Sequence, residues 1–221
     1  ILVMNTTAIR TASLARRERQ KAETRQAILD AARELFVTEG VDATTMRAIA
    51  ERIGYTPTAI YHHFKDKDTL LVELCMADFR FLGQSLHKIG RIEDPVERLR
   101  RMGLAYADFA LANKSQYRFM FMTPMRHDMI DSDGNRVRPP DEDAYAFLLQ
   151  TISEGISSGV YRPELSDPNE LAQMTWGAIH GVVSLWMNHG DDPHIQWSPP
   201  RETIRSLVDV MIRGTLRNSP S

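Results

Sequence analysis

Only one cysteine, Cys75, occurs among the 221 residues. No intrachain disulfide can form, and a reducing compartment is expected. Its setting in the apolar run LLVELCMADF predicts a buried thiol. No apolar run approaches the ~20 residues that cross a bilayer. The opening residues also lack the long apolar core of a signal peptide, so a cytoplasmic protein is expected. No segment sustains an alternation of period two, which argues against strands. GxSxG, a Walker loop, HExxH and paired-cysteine metal spacings are all absent. Neither an enzyme nor a cofactor is expected on those grounds. His180, His189 and His194 lie near one another in sequence. The first two are nine residues apart, so on one helix they point to opposite faces. No metal site is expected.

An overall excess of positive charge is missing too: the net charge is −2. Its distribution is uneven, however, with +3 over residues 1–67 and −5 over the rest. Arg10, Arg16, Arg17, Arg19 and Lys21 oppose only Glu18 near the start. This reads as a flexible basic arm over 1–22. Such a segment is either a solvated tail or, beside a DNA-reading element, a strand of charge that lies along phosphates or enters the minor groove.

What is present is helical. Ile28, Ala31, Ala32, Leu35 and Phe36 repeat at helical spacing, predicting a helix from Glu23 to about Glu39 that stops at Gly40. Thr44 or Thr45 can cap a second helix whose Met46, Ile49, Ala50 and Ile53 face inward. Gly54 supplies the turn and Pro57 opens a third helix, where its missing N–H costs nothing. Ile60 can pack back on Ile49 and Ile53. Two short helices joined by a tight turn form the helix-turn-helix plan. Asp66 is the expected cap of a long helix from Lys67 to about Ile89, and Pro95 opens another to Ala112. A short helix over Ser115–Met122, a loop over Thr123–Pro140, and helices over Asp141–Ser158, Pro168–His189 and Arg201–Arg217 complete an all-α chain of about nine helices. The expected parts are the arm over 1–22, a DNA-binding head over 23–68 and a body over 69–221.

The outward face of the third helix carries Thr56, Pro57, Thr58, Tyr61, His62 and His63. Thr56, Thr58 and Ala59 stand at its N-terminal end, where a recognition helix meets base edges. The methyls of Thr58 and Ala59 suit thymine methyls. Lys67 places an ammonium at a helix N-terminus, a setting for phosphate. Thr44, Thr45 and Arg47 open the preceding helix and can act alike. Core packing is the competing reading for His63 and the favoured one for Phe64.

The runs AILDAARELF, Glu39–Gly40, TTMRAIAERIG and AIYHHFKDKDTLL, over about residues 24 to 72, resemble the tetracycline-repressor (TetR) family of bacterial regulators. The resemblance implies a dimeric, ligand-responsive regulator of transcription, usually a repressor, bound to a palindromic operator. It implies phosphate contacts for Tyr61 and His63, and a phosphate or base contact for His62. WGAIHGVVSLW at Trp176–Trp186 looks like the Trp–His–Gly type of C-terminal domain found in one branch of such regulators. By the same resemblance, the last two long helices form the dimer interface. An effector cavity is implied among the central helices, with Phe109, Tyr117, Met120, Phe121, Met125, Phe147, Trp176 and His180 as candidate lining. Aromatics and Met suit an apolar, adaptable pocket for a hydrophobic or amphipathic effector. The opposed reading is a helical sensor of a ligand or metal that reads no DNA sequence.

Overall fold

The structure, a computed structural model, describes residues 2–123 and 143–217, without the side chains of 2–7 and 87. Nine α-helices occur among the described residues: α1 (Leu2–Thr38), α2 (Met46–Arg52), α3 (Pro57–Tyr61), α4 (Lys67–His87), α5 (Pro95–Ala112), α6 (Lys114–Met122), α7 (Ala144–Ser157), α8 (Pro168–His189) and α9 (Pro200–Thr215). A 3₁₀ turn over Lys88–Arg91 follows α4. The described residues hold no β-strand, only an isolated antiparallel bridge between Tyr161 and Leu216.

The helices begin where short polar side chains can satisfy orphan N–H groups. Asp66 Oδ1 accepts from the Thr69 N–H at 2.7 Å and starts α4. Asp94, Asp143 and Asp167 do the same for α5, α7 and α8, with proline at the first turn of α5 and α8. One boundary departs from the sequence reading. α1 begins at Leu2, not near Glu23, so the basic stretch is helical. No glycine or proline precedes Gly40, and Ala, Arg, Glu and Gln dominate residues 12–27, all good helix formers.

The described residues pack as two units, 2–75 with 118–123, and 76–117 with 143–217. In the first, Ile28, Ala32, Leu35 and Phe36 of α1 are buried with Ile49, Ala50, Ile60, Phe64, Leu70 and Leu74. Phe119 stacks on Phe36 with ring centroids 5.9 Å apart. Cys75 is fully buried.

In the second unit, α5 packs against α7, α8 and α9. Gly103 permits that approach, because a Cβ there would lie 2.9 Å from Val208 Cγ2 and 3.0 Å from Ile179 Cδ1. A second core gathers Leu86, Leu99, Met102, Leu148, Ile152, Tyr161 and Leu171. The buried Arg98 pairs with Glu154 of α7, and the guanidinium holds that carboxyl below the usual range. Arg201 of α9 donates to both oxygens of Asp108 at 2.6 and 3.1 Å.

Candidate nucleic-acid interface

α2, the turn at Ile53–Thr56 and α3 form a compact hairpin. Gly54 has φ +71°, the left-handed conformation that the turn demands. The Ala50 carbonyl accepts from the Ile53 N–H at 3.2 Å and the Tyr55 N–H at 2.9 Å, which folds the chain back. Ile49, Ala50 and Ile60 are fully buried beneath it, and Ile53 is half-buried. Thr45, not Thr44, caps α2: its Oγ1 accepts from the Ala48 N–H at 3.1 Å. Thr56 caps α3 through the Ala59 N–H at 3.3 Å. Each hydroxyl still has a proton to donate.

Above this core stand Thr56, Pro57, Thr58, Tyr61 and His62, all exposed, with Ala59 half-buried among them. Tyr61 is 54% exposed despite its size. Arg47 is exposed on α2 and pairs with Glu51 at 2.8 Å. Such an exposed surface pair contributes little to stability, so the guanidinium can leave Glu51 with little loss. His63 is half-buried with its Nδ1 lacking a hydrogen-bond partner. Burial, then the nearby Lys21, Arg25 and His62, depress its pKa, so the ring is neutral at neutral pH. Phe64 is buried under the Arg25 guanidinium, 4.7 Å from the ring centroid.

Two of the residues expected at the interface sit elsewhere. Thr44 is fully buried, and its hydroxyl donates to the Gly40 carbonyl at 2.8 Å. Lys67 donates to the carbonyl oxygens of Val41, Thr44 and Asp42 at 2.8, 3.0 and 3.5 Å. Its ammonium closes the turn between α1 and α2, where a phosphate was expected. Sequence periodicity carries no signal for either contact.

The expected effector residues separate into groups. Tyr117, Trp176 and His180 come together, and the structure adds Tyr106 of α5, which the sequence reading missed. Trp176 Nε1 donates to Tyr106 Oη at 3.2 Å, Tyr106 donates to Tyr117 Oη at 3.3 Å, and Tyr117 Oη lies 2.5 Å from His180 Nδ1. Burial raises both phenol pKa values and lowers that of His180. The cluster is therefore neutral and hydrogen-bonded. Tyr106 falls three residues before Phe109 on the inward face of α5, the one sequence signal that pointed to it. Phe109 packs edge-on to Phe81, 5.7 Å between centroids. Phe147 joins the second core. Met120 is buried and Phe121 half-buried in the first unit. Met125 lies outside the described residues. A hollow near Leu99, Thr175, Ile179 and Val208 has room for about one water. Among the described residues no three His, Cys, Asp or Glu side chains converge as a metal site would need.

Residues 28–74 match the family model described as bacterial regulatory proteins, tetR family, and residues 99–211 match the tetracyclin repressor-like C-terminal domain. The chain is 33% identical over 208 residues to the HTH-type transcriptional regulator YerO of Bacillus subtilis, covering 89% of this chain and 67% of that one. It is 50% identical over 62 residues to the HTH-type transcriptional regulator AcrR of Shigella flexneri, covering 28% of this chain and 29% of that protein. Among solved structures, the TetR family transcriptional regulator PfmR of Thermus thermophilus superposes with a TM-score of 0.65 at 25% identity, covering 84% of this chain and 97% of that one.

Proposed function

The chain belongs to the TetR family of bacterial regulatory proteins, and from that premise we propose that it is a homodimeric repressor released from a palindromic operator by a small-molecule effector. It is a DNA-binding regulator of transcription, as its relatives are. The observation that carries the site assignment is the exposed row Thr56, Thr58, Tyr61 and His62 over a fully buried Ile49–Ala50–Ile60 seat. Thr58 and Ala59 read base edges. Thr45, Arg47, Tyr61, His62 and His63 hold phosphates, His63 through its neutral ring. Lys67 acts as a strut within the head. The head over 23–68 and the body over 69–221 divide DNA reading from effector binding.

Pairing is supported by a face on α8 and α9. Met174, Gly177, Gly181 and Leu185 form one stripe on α8, with Leu185 55% exposed. Val210 of α9 is 67% exposed. A Cβ at Gly177, Gly181 or Gly214 would meet nothing within 4 Å, so no contact among the described residues explains their smallness. An opposed helix from a second copy does. Two recognition helices about 34–36 Å apart then reach successive major grooves. The effector is hydrophobic or amphipathic, and it acts by favouring a conformer with a different spacing, since equal affinity for both conformers shifts nothing. α4 is common to both units and is the natural lever. No helix among the described residues is long and apolar enough to cross a membrane, and the cytoplasm is the compartment this role requires.

Fluorescence anisotropy with the gene's own upstream DNA and with scrambled DNA tests the reading. A preference of about 10³-fold or more is expected at near-physiological salt. Equal, weak binding to both would leave a helical ligand sensor without sequence reading.

A further inference from the structure

Residues 8–23 of α1 have no core to serve. Every residue from Ala8 to Glu23 is exposed, in a helix that continues without a break to Thr38. A helix standing alone is marginal in water, because most helix stability comes from packing one face. This extension has no apolar face to pack: Ile9 and Leu14 are exposed but stand roughly 140° apart around the axis. That rules against a lipid surface or a partner helix as its seat.

Its ordered feature is charge. Arg10, Arg17 and Lys21 fall at i, i+7 and i+11, within roughly 40° of one another around the axis. Arg16 and Arg19 point well away. Among the described residues none of these five cations takes part in an ion pair. The stripe has the same angular position as Ile28 and Leu35, so it continues the face by which α1 packs on the head. Just beyond it, Thr24 Oγ1 lies 3.4 Å from Tyr55 Oη in the turn that precedes α3. Lys21 and Arg25 stand near enough to His63 to depress its pKa. The charged stripe thus leads directly onto the exposed surface of the recognition helix.

We infer that residues 8–21 of α1 are a second DNA-binding element, in which Arg10, Arg17 and Lys21 hold phosphates of one strand of the duplex beside the base pairs that α3 reads. The three side chains span about 16 Å at 1.5 Å per residue, comparable to about five phosphates of one strand at 3.4 Å each. The contact is with backbone and carries no sequence preference of its own. It rests on the regulator reading above.

The test compares salt dependence for the unaltered protein and two sets of variants. One set is Arg10→Gln with Arg17→Gln and Lys21→Gln. The other is Arg16→Gln with Arg19→Gln. Gln keeps the helix, which circular dichroism verifies. With two copies on an operator, the first set should lower the slope of log K against log salt by about 5, at about 0.9 per phosphate. The second set should change it by less than about 1. Arg10→Lys with Arg17→Lys should preserve the wild-type slope. An unchanged slope in the first set, or an equal loss per charge in both sets, overturns the inference. The slope is read on operator and on scrambled duplex alike. A wild-type protein that showed no operator preference would sink the regulator reading, while the slopes on scrambled DNA would still decide this one.

Discussion

The ammonium of Lys67 lies 3.0 Å from the carbonyl oxygen of Thr44, a residue 23 positions earlier in the chain. The same group reaches the Val41 carbonyl at 2.8 Å. One side chain therefore ties the start of α4 to the turn that presents α2, and it places a cation where the positive end of the α4 dipole would otherwise disfavour one.

Lys67→Met keeps the length of the stem and removes the donors. It should destabilise the head by about 1–3 kcal/mol, the cost of losing its part-buried hydrogen bonds to the Val41 and Thr44 carbonyls. Lys67→Arg should not restore it, because a planar fork cannot point its donors at carbonyls around one atom. Urea unfolding measures both. If Lys67→Met kept full stability and lost only DNA affinity, the group would be a phosphate ligand after all.

Tyr106 and Tyr117 look equivalent but are not. Tyr106→Phe removes the acceptor of the Trp176 N–H and the donor to Tyr117, two hydrogen bonds at once, and should cost about 1–3 kcal/mol. Tyr117→Phe leaves Tyr106 Oη still 3.0 Å from His180 Nδ1, so its cost should stay under about 1 kcal/mol. Denaturant melts of the two variants, run side by side, decide the order.

Stability should rise with pH through the range just below the ordinary imidazole value of 6.5. His180 and His63 both have lowered pKa values, chiefly from burial. In that window the unfolded rings hold protons that the folded rings do not, so the unfolded chain binds more and is favoured by acid. His180→Gln should flatten part of this dependence in melts between about pH 5 and 7. A profile as steep as the wild type would assign the effect to other groups.

Leu185→Glu and Val210→Asp place charges on the exposed stripes of α8 and α9. Each should convert the dimer to monomer in sedimentation while leaving the helical content unchanged, and operator affinity should fall with it. A dimer that survived both substitutions would place the interface elsewhere.

Much of the local architecture follows from short-range rules. Pro57, Gly54, Thr56 and the spacing of Ile49, Ala50 and Ile60 announce the hairpin, because caps, positive φ and helical period all act within a few residues. Asp66, Pro95 and Pro168 announce helix starts for the same reason. The single buried cysteine was legible too. Tertiary structure alone decided which functional groups are available. Thr44 and Thr45 are equivalent on paper, yet one is buried against Gly40 and the other caps α2. Lys67 meets its carbonyls across 23 to 26 residues, and Tyr106 meets His180 across 74. Periodicity sorts side chains into inward and outward faces. Which partner waits on each face depends on how distant helices cross, and no local pattern encodes that.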